Sequence, residues 1–142
     1  MLKVGYIGLG LMGKSIARNI LKAGFPLIAH NRSRAAVNEL VGEGATAADY
    51  PKEVASQVDI VFTNLPDTPD VEKVVLGENG IIEGAHDGLI YIDNSTIKPA
   101  SARMIAECSR YRSGYSQRVP PMRSWLFSGA WVLRTPSRGL SV

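Results

Sequence analysis

The chain has 142 residues, 45% apolar and 20% charged, with a single cysteine at position 108, which is room for about one domain with a packed core. No apolar run approaches the roughly 20 residues of a membrane-spanning helix, no secretory leader is evident at the N-terminus, and one cysteine makes neither an intrachain disulfide nor a multi-cysteine metal site. The net charge of +3 divides unevenly: residues 1–107 carry −3, whereas residues 108–142 carry +6 from six arginines and no acid, so the main body is not expected to partner nucleic acid or membrane.

Leu2 to Leu9 is a short apolar, β-branched run ended by glycine and predicts a buried strand. Gly13 to Ala23 predicts a helix, with Ile16, Ala17, Ile20 and Leu21 on one stripe and Lys14, Arg18 and Lys22 off it. Gly24 is placed to stop that helix. Phe25 to His30 is a second apolar run, and Ser33 or Arg34 to Val41 a second helix, closed by Gly42 and Gly44. Ala45 and Thr46 suggest a very short strand. Lys52 to Gln57 suggests a short helix with Pro51 in its first turn. Asp59 to Leu65 and Gly88 to Asp93 are further strands. Asp70 to Leu76 is a helical turn or two, and Pro99 to Glu107 begins another helix.

Strands alternating with short helices predict an α/β fold: a doubly wound parallel sheet of Rossmann type with right-handed crossovers. From Cys108 the pattern lapses. Residues 108–142 hold seven serines, six arginines, three prolines and both tryptophans of the chain. Their only apolar islands are Trp125 to Phe127 and Ala130 to Leu133. The expected organisation is therefore a dinucleotide-binding domain over residues 1–107 and an atypical tail over 108–142. The tail reads as frameshifted or disordered, with an arginine-rich interaction tail as the alternative.

Gly8, Gly10 and Gly13 form a G-x-G-x-x-G pattern directly after a strand and at the opening of a helix. In that context the first glycine lets the chain turn, the second lets a pyrophosphate approach the backbone, and the third lets helix and strand pack closely. The helix N-terminus then offers N–H groups and a positive dipole end to the phosphates. At the end of the second strand, an acid would accept from a ribose 2′-hydroxyl and mark NAD. His30-Asn31-Arg32-Ser33-Arg34 stands there instead, without a carboxylate. Arg32 suits the 2′-phosphate of NADP, and Asn31 and Ser33 are hydrogen-bond donors. The expected cofactor is NADP, with NAD as the alternative. Two more loops follow strands, Asn64-Leu65-Pro66-Asp67 and Asp93-Asn94-Ser95-Thr96. Ser95 and Thr96 read either as donors to a nicotinamide ribose or substrate, or as caps for the helix at Pro99.

With these segments in order, the chain resembles the N-terminal half of the β-hydroxyacid dehydrogenases, which include 3-hydroxyisobutyrate dehydrogenase, tartronate semialdehyde reductase and the glyoxylate/succinic semialdehyde reductases. IGLGLMGKSIARNILKAG resembles the family's cofactor signature, LPDTPDVEKVVLGENGIIEG its middle segment, and IDNSTIKP its Asp-x-Ser-Thr/Ser-x-x-Pro segment. The resemblance covers residues 2–107. It implies that Gly8, Leu9, Gly10, Leu11, Met12 and Gly13 cradle a pyrophosphate and that Asn31, Arg32 and Ser33 flank the adenosine ribose. Leu65 and Pro66 would line the cofactor, with Thr96 near the nicotinamide and Ser95 a candidate substrate contact. The chemistry implied is reversible hydride transfer between the nicotinamide and a short hydroxyacid or semialdehyde. The family's Asp-Ala-Pro-Val-Ser-Gly-Gly substrate loop and Gly-x-x-x-Lys-x-x-x-Asn catalytic lysine segment have no counterpart here, so no catalytic residue is assigned. The expectation is a domain truncated before an all-helical second one, inactive as it stands, and not assembled into the family's oligomers. A non-catalytic nucleotide-binding or interaction module is the alternative. A 6-phosphogluconate dehydrogenase-like or imine reductase-like domain is a further one, which the GENGIIEG and DNSTIKP wording argues against.

Overall fold

The computed structural model describes residues 1–112, 125–127 and 130–134. In chain order the elements are β1 (Val4–Ile7), α1 (Leu11–Lys22), β2 (Leu27–His30), α2 (Arg34–Gly42), β3 (Thr46–Ala47), α3 (Pro51–Gln57), β4 (Ile60–Thr63), α4 (Thr68–Leu76), α5 (Ile81–Gly84), β5 (Ile90–Asp93), α6 (Pro99–Arg112), β6 (Trp125–Phe127) and β7 (Ala130–Arg134). The sheet order is β3-β2-β1-β4-β5-β7-β6. Its first five strands are parallel, as the alternating pattern predicts. β7 runs antiparallel to β5 and to β6, so the sheet is mixed at that edge. The two apolar islands of the C-terminal segment form these edge strands. α6 runs through Cys108 to Arg112, across the composition break. The frameshifted or disordered reading otherwise concerns residues outside those described.

Side chains alternate across the sheet because a strand turns its Cβ atoms to opposite faces in succession. Val4 and Tyr6 of β1, with Leu27 and Ala29 of β2, pack under Ala17 of α1 and Val37 and Leu40 of α2. Ile7, Ile28, Val61 and Tyr91 face the other way, against Val54 of α3, Val71 and Val75 of α4, Ile81 of α5 and Ile105 of α6. Gly5 sits on that second face, where a Cβ would collide with Val54, so α3 lies directly on β1. Burying these branched residues supplies the main driving force for the two layers, of order 1.5–3 kcal/mol for each fully buried large side chain.

The pairing register sets where ligands can go. Ile7 pairs with both His30 and Thr63, and Thr63 pairs with Asp93. The C-terminal ends of β1, β2, β4 and β5 are therefore level, and the loops that follow them share one end of the sheet. Between β1 and β4 the connections reverse direction, which opens a crevice there.

Candidate functional site

A cleft of about 900 Å³ opens at this end of the sheet, within the range of small-molecule sites. Its floor is the turn between β1 and α1, from Gly8 to Gly13. Gly8 has φ +95°, a left-handed conformation that favours glycine. A Cβ there would collide with the Asn64 carbonyl oxygen, and a Cβ on Gly13 would collide with the Gly8 carbonyl oxygen. These two glycines let α1 close down on the strand ends. Gly10 differs: among the described residues, no atom beyond its chain neighbours and the adjoining helix backbone lies within 4 Å of its would-be Cβ, and it lines the cleft. Its missing side chain leaves space for something other than protein.

Gly10 is also the N-cap of α1, with no side-chain cap and no acid in the first turn. The N–H groups of Leu11, Met12 and Gly13 thus have no carbonyl four residues back within the helix and lie at its positive end. The backbone of Lys14 makes the first helical bond, to the Gly10 carbonyl at 2.9 Å. Leu11 and Met12 are 89% and 70% exposed, an unusual position for two large apolar side chains unless something covers them. Room at Gly10, free N–H groups and apolar cover together fit a phosphate-bearing dinucleotide.

The loop between β2 and α2 forms one wall. Asn31 accepts from the Leu9 N–H through Oδ1 at 3.0 Å and donates from Nδ2 to the Ser33 carbonyl at 3.2 Å. Its side chain ties the glycine turn to the second loop. Ser33 is the N-cap of α2, and its hydroxyl makes no capping bond. Arg32 is exposed and lines the cleft. Among the described residues it has no ion-pair partner, whereas Arg34 is paired with Asp49, Nη1 to Oδ1 at 2.6 Å.

Asn64, Leu65 and Pro66 form the opposite wall, and Ser95 holds it in place. Ser95 is buried, and its Oγ accepts from the Leu65 N–H at 2.8 Å. The Ser95 N–H in turn donates to Asp93 Oδ1 at 3.0 Å, as does the Thr63 hydroxyl at 2.8 Å. Thr63 Oγ1 is also hydrogen-bonded to the Tyr91 hydroxyl at 2.8 Å. Burial first, and the nearby Asp93 carboxylate second, push the Tyr91 phenol far above its ordinary range, with Thr63 offsetting a little. The network is buried, and among the described residues Asp93 Oδ2 lacks a hydrogen-bond partner. Ser95 and Thr96 do not line the cleft: the Ser95 oxygen faces the Leu65 backbone, and Thr96 is exposed on the loop after β5. The first backbone bonds of α6 go to the Lys98 carbonyl.

Sequence reasoning missed the outer rim. Asp49 and Tyr50 contribute from the loop after β3, Pro51 from the start of α3, and Asp70, Lys73, Val74, Glu78 and Asn79 from α4 and beyond. The Lys52 N–H donates to the Asn79 carbonyl at 2.8 Å, joining the two rim segments. The one available signal was Tyr50, an aromatic just before a helix-initiating proline, half-exposed in the fold.

Residues 3–114 match the family described as the NAD binding domain of 6-phosphogluconate dehydrogenase. The chain belongs to this family. It is an NAD(P)-binding domain of the kind carried by 3-hydroxyisobutyrate dehydrogenases and related oxidoreductases. It is 42% identical over 107 residues to a probable mitochondrial 3-hydroxyisobutyrate dehydrogenase of Dictyostelium discoideum, covering 75% of this chain and 33% of that protein. The solved 3-hydroxyisobutyrate dehydrogenase of Salmonella typhimurium superimposes with a TM-score of 0.72 at 30% identity, over 79% of this chain and 39% of the other. Psf3, solved in complex with NADP+ and 2-OPP, superimposes with a TM-score of 0.68 at 30% identity, over 73% and 37%. The chain thus spans about two fifths or less of the length of these family members.

Proposed function

We propose that this domain binds NADP(H), with the pyrophosphate on the Gly8–Gly13 turn and the 2′-phosphate against Arg32 and Ser33. The observation that carries the reading is the exposed Arg32 guanidinium, free of any ion pair among the described residues, beside a helix N-cap whose hydroxyl is unused. No carboxylate stands at positions 30–34 to accept from a 2′-hydroxyl or repel a phosphate. Leu65 and Pro66 bound the cofactor on the far side. Ser95 acts at one remove, by fixing the Leu65 backbone.

When bound, the nicotinamide supplies reversible hydride transfer. The chain's own residues orient it: the α1 N-terminus holds the phosphates, and Leu11, Met12 and Leu65 shield it from water. The reaction class supported by the family is oxidation of a short hydroxyacid or reduction of its semialdehyde, carried out by a longer protein. The 142 residues supply the coenzyme half of that task. The test is a calorimetric titration of the chain with NADPH and NADH side by side. NADPH is expected to bind about tenfold or more tightly, the worth of one charge-assisted phosphate contact, with little turnover of tartronate or succinic semialdehyde. Tighter binding of NADH, or brisk turnover by this chain alone, contradicts the proposal.

A further inference from the structure

The outer rim of the cleft holds an acid where the NADP reading needs none. Asp49 follows β3 and lines the same cleft as Arg32 and Ser33, with its side chain 65% exposed. A second carboxylate lies close by: Glu53 Oε2 accepts from the Asp49 N–H at 2.8 Å. Uncompensated, this edge would repel a phosphate dianion held at Arg32. Arg34, two residues beyond Arg32 and the first residue of α2, spans the gap and meets Asp49 at 2.6 Å. The remaining ionised groups lining the cleft are Asp70, Lys73 and Glu78, contributed from α4 and beyond.

We infer that the Arg34–Asp49 ion pair is a charge mask that sets coenzyme selectivity: Arg34 neutralises Asp49 so that Arg32 alone presents its charge to the 2′-phosphate. The pair's own contribution to stability is small, because both partners are well exposed. Its effect falls on the ligand, within a Debye length of the rim, and chiefly on the ligand that carries the extra phosphate. This inference rests on the NADP reading above.

A double-mutant cycle at low ionic strength tests it, reading the dissociation constants of NADPH and NADH for the full 142-residue chain. Arg34→Ala exposes the Asp49 charge and weakens NADPH about three- to tenfold, with NADH changed less than about twofold. Asp49→Asn strengthens NADPH by a similar factor. The double variant returns to the wild-type NADPH/NADH ratio within about twofold, and Arg34→Lys keeps that ratio. If the double variant stays as weak as Arg34→Ala, Arg34 grips the phosphate directly and the mask is wrong. If Arg34→Ala weakens both coenzymes equally, or neither, the pair is only a latch between loops and the inference is again overturned. Arg32→Ala separates this from failure of the underlying reading. If it leaves the ratio unchanged, or if the wild type prefers NADH, the NADP reading itself falls and the mask with it. If Arg32→Ala abolishes the preference while Arg34→Ala does nothing, only the mask fails.

Discussion

A methyl group separates the jobs of the cleft's glycines. At Gly13 it meets the Gly8 carbonyl oxygen, so Gly13→Ala forces α1 off the strand end, at about 1–3 kcal/mol of stability. At Gly10 it meets only open space, so Gly10→Ala costs no more than about 1 kcal/mol, the loss of a tolerated N-cap. Yet it intrudes where a pyrophosphate would lie. Thermal melts with coenzyme titrations check the contrast: Gly10→Ala keeps its melting temperature within a few degrees and loses about tenfold or more in coenzyme affinity. Equal affinity would mean that nothing occupies that space. The spacing of the three glycines was legible in the sequence because the motif is local. The role of Asn31 was not. It reads as a ribose donor, but its amide bridges Leu9 and Ser33, and the bond to Leu9 spans 22 residues and exists only once β1 and β2 pair.

The same limit holds for the elements. Four of the five parallel strands were readable from short apolar runs, whereas β3, read as a very short strand at Ala45 and Thr46, is only the two residues Thr46–Ala47. α5 was missed because four residues show no helical period. β6 and β7 read as apolar islands without periodicity, since β7 becomes a strand only by pairing with the edge of β5. The loop after β5 shows the gap most clearly. Ser95 carries two plausible local meanings, donor or cap, yet its oxygen reaches across to the Leu65 N–H. Ser95→Ala leaves that part-buried N–H without its acceptor, at about 1–3 kcal/mol, and frees the loop that walls the cleft. Denaturant unfolding should show the loss, accompanied by weaker coenzyme binding. Unchanged stability would show that the loop is held by other contacts.

At the scale of the molecule, the sheet order brings the β1, β2 and β4 loops together at one end, and the register keeps them level. The opposing α1–α2 and α3–α6 layers pack against the sheet from its two faces. On the α1–α2 face, Ile60 and Phe62 of β4 and Ile90 and Ile92 of β5 are only half-buried. β1 and β2 are thus the better-covered strands, and they bear the glycine turn and Arg32. The cleft should therefore be formed before coenzyme arrives. Amide-resolved NMR of the full chain during addition of NADP+ and then NAD+ tests the central claim most directly. NADP+ should shift the amides of Leu11, Met12 and Gly13 together with those of Arg32 and Ser33, and NAD+ should shift the first group with a markedly smaller effect on the second. Shifts centred away from the Gly8–Gly13 turn, or identical shifts at Arg32 and Ser33 with both coenzymes, would contradict it.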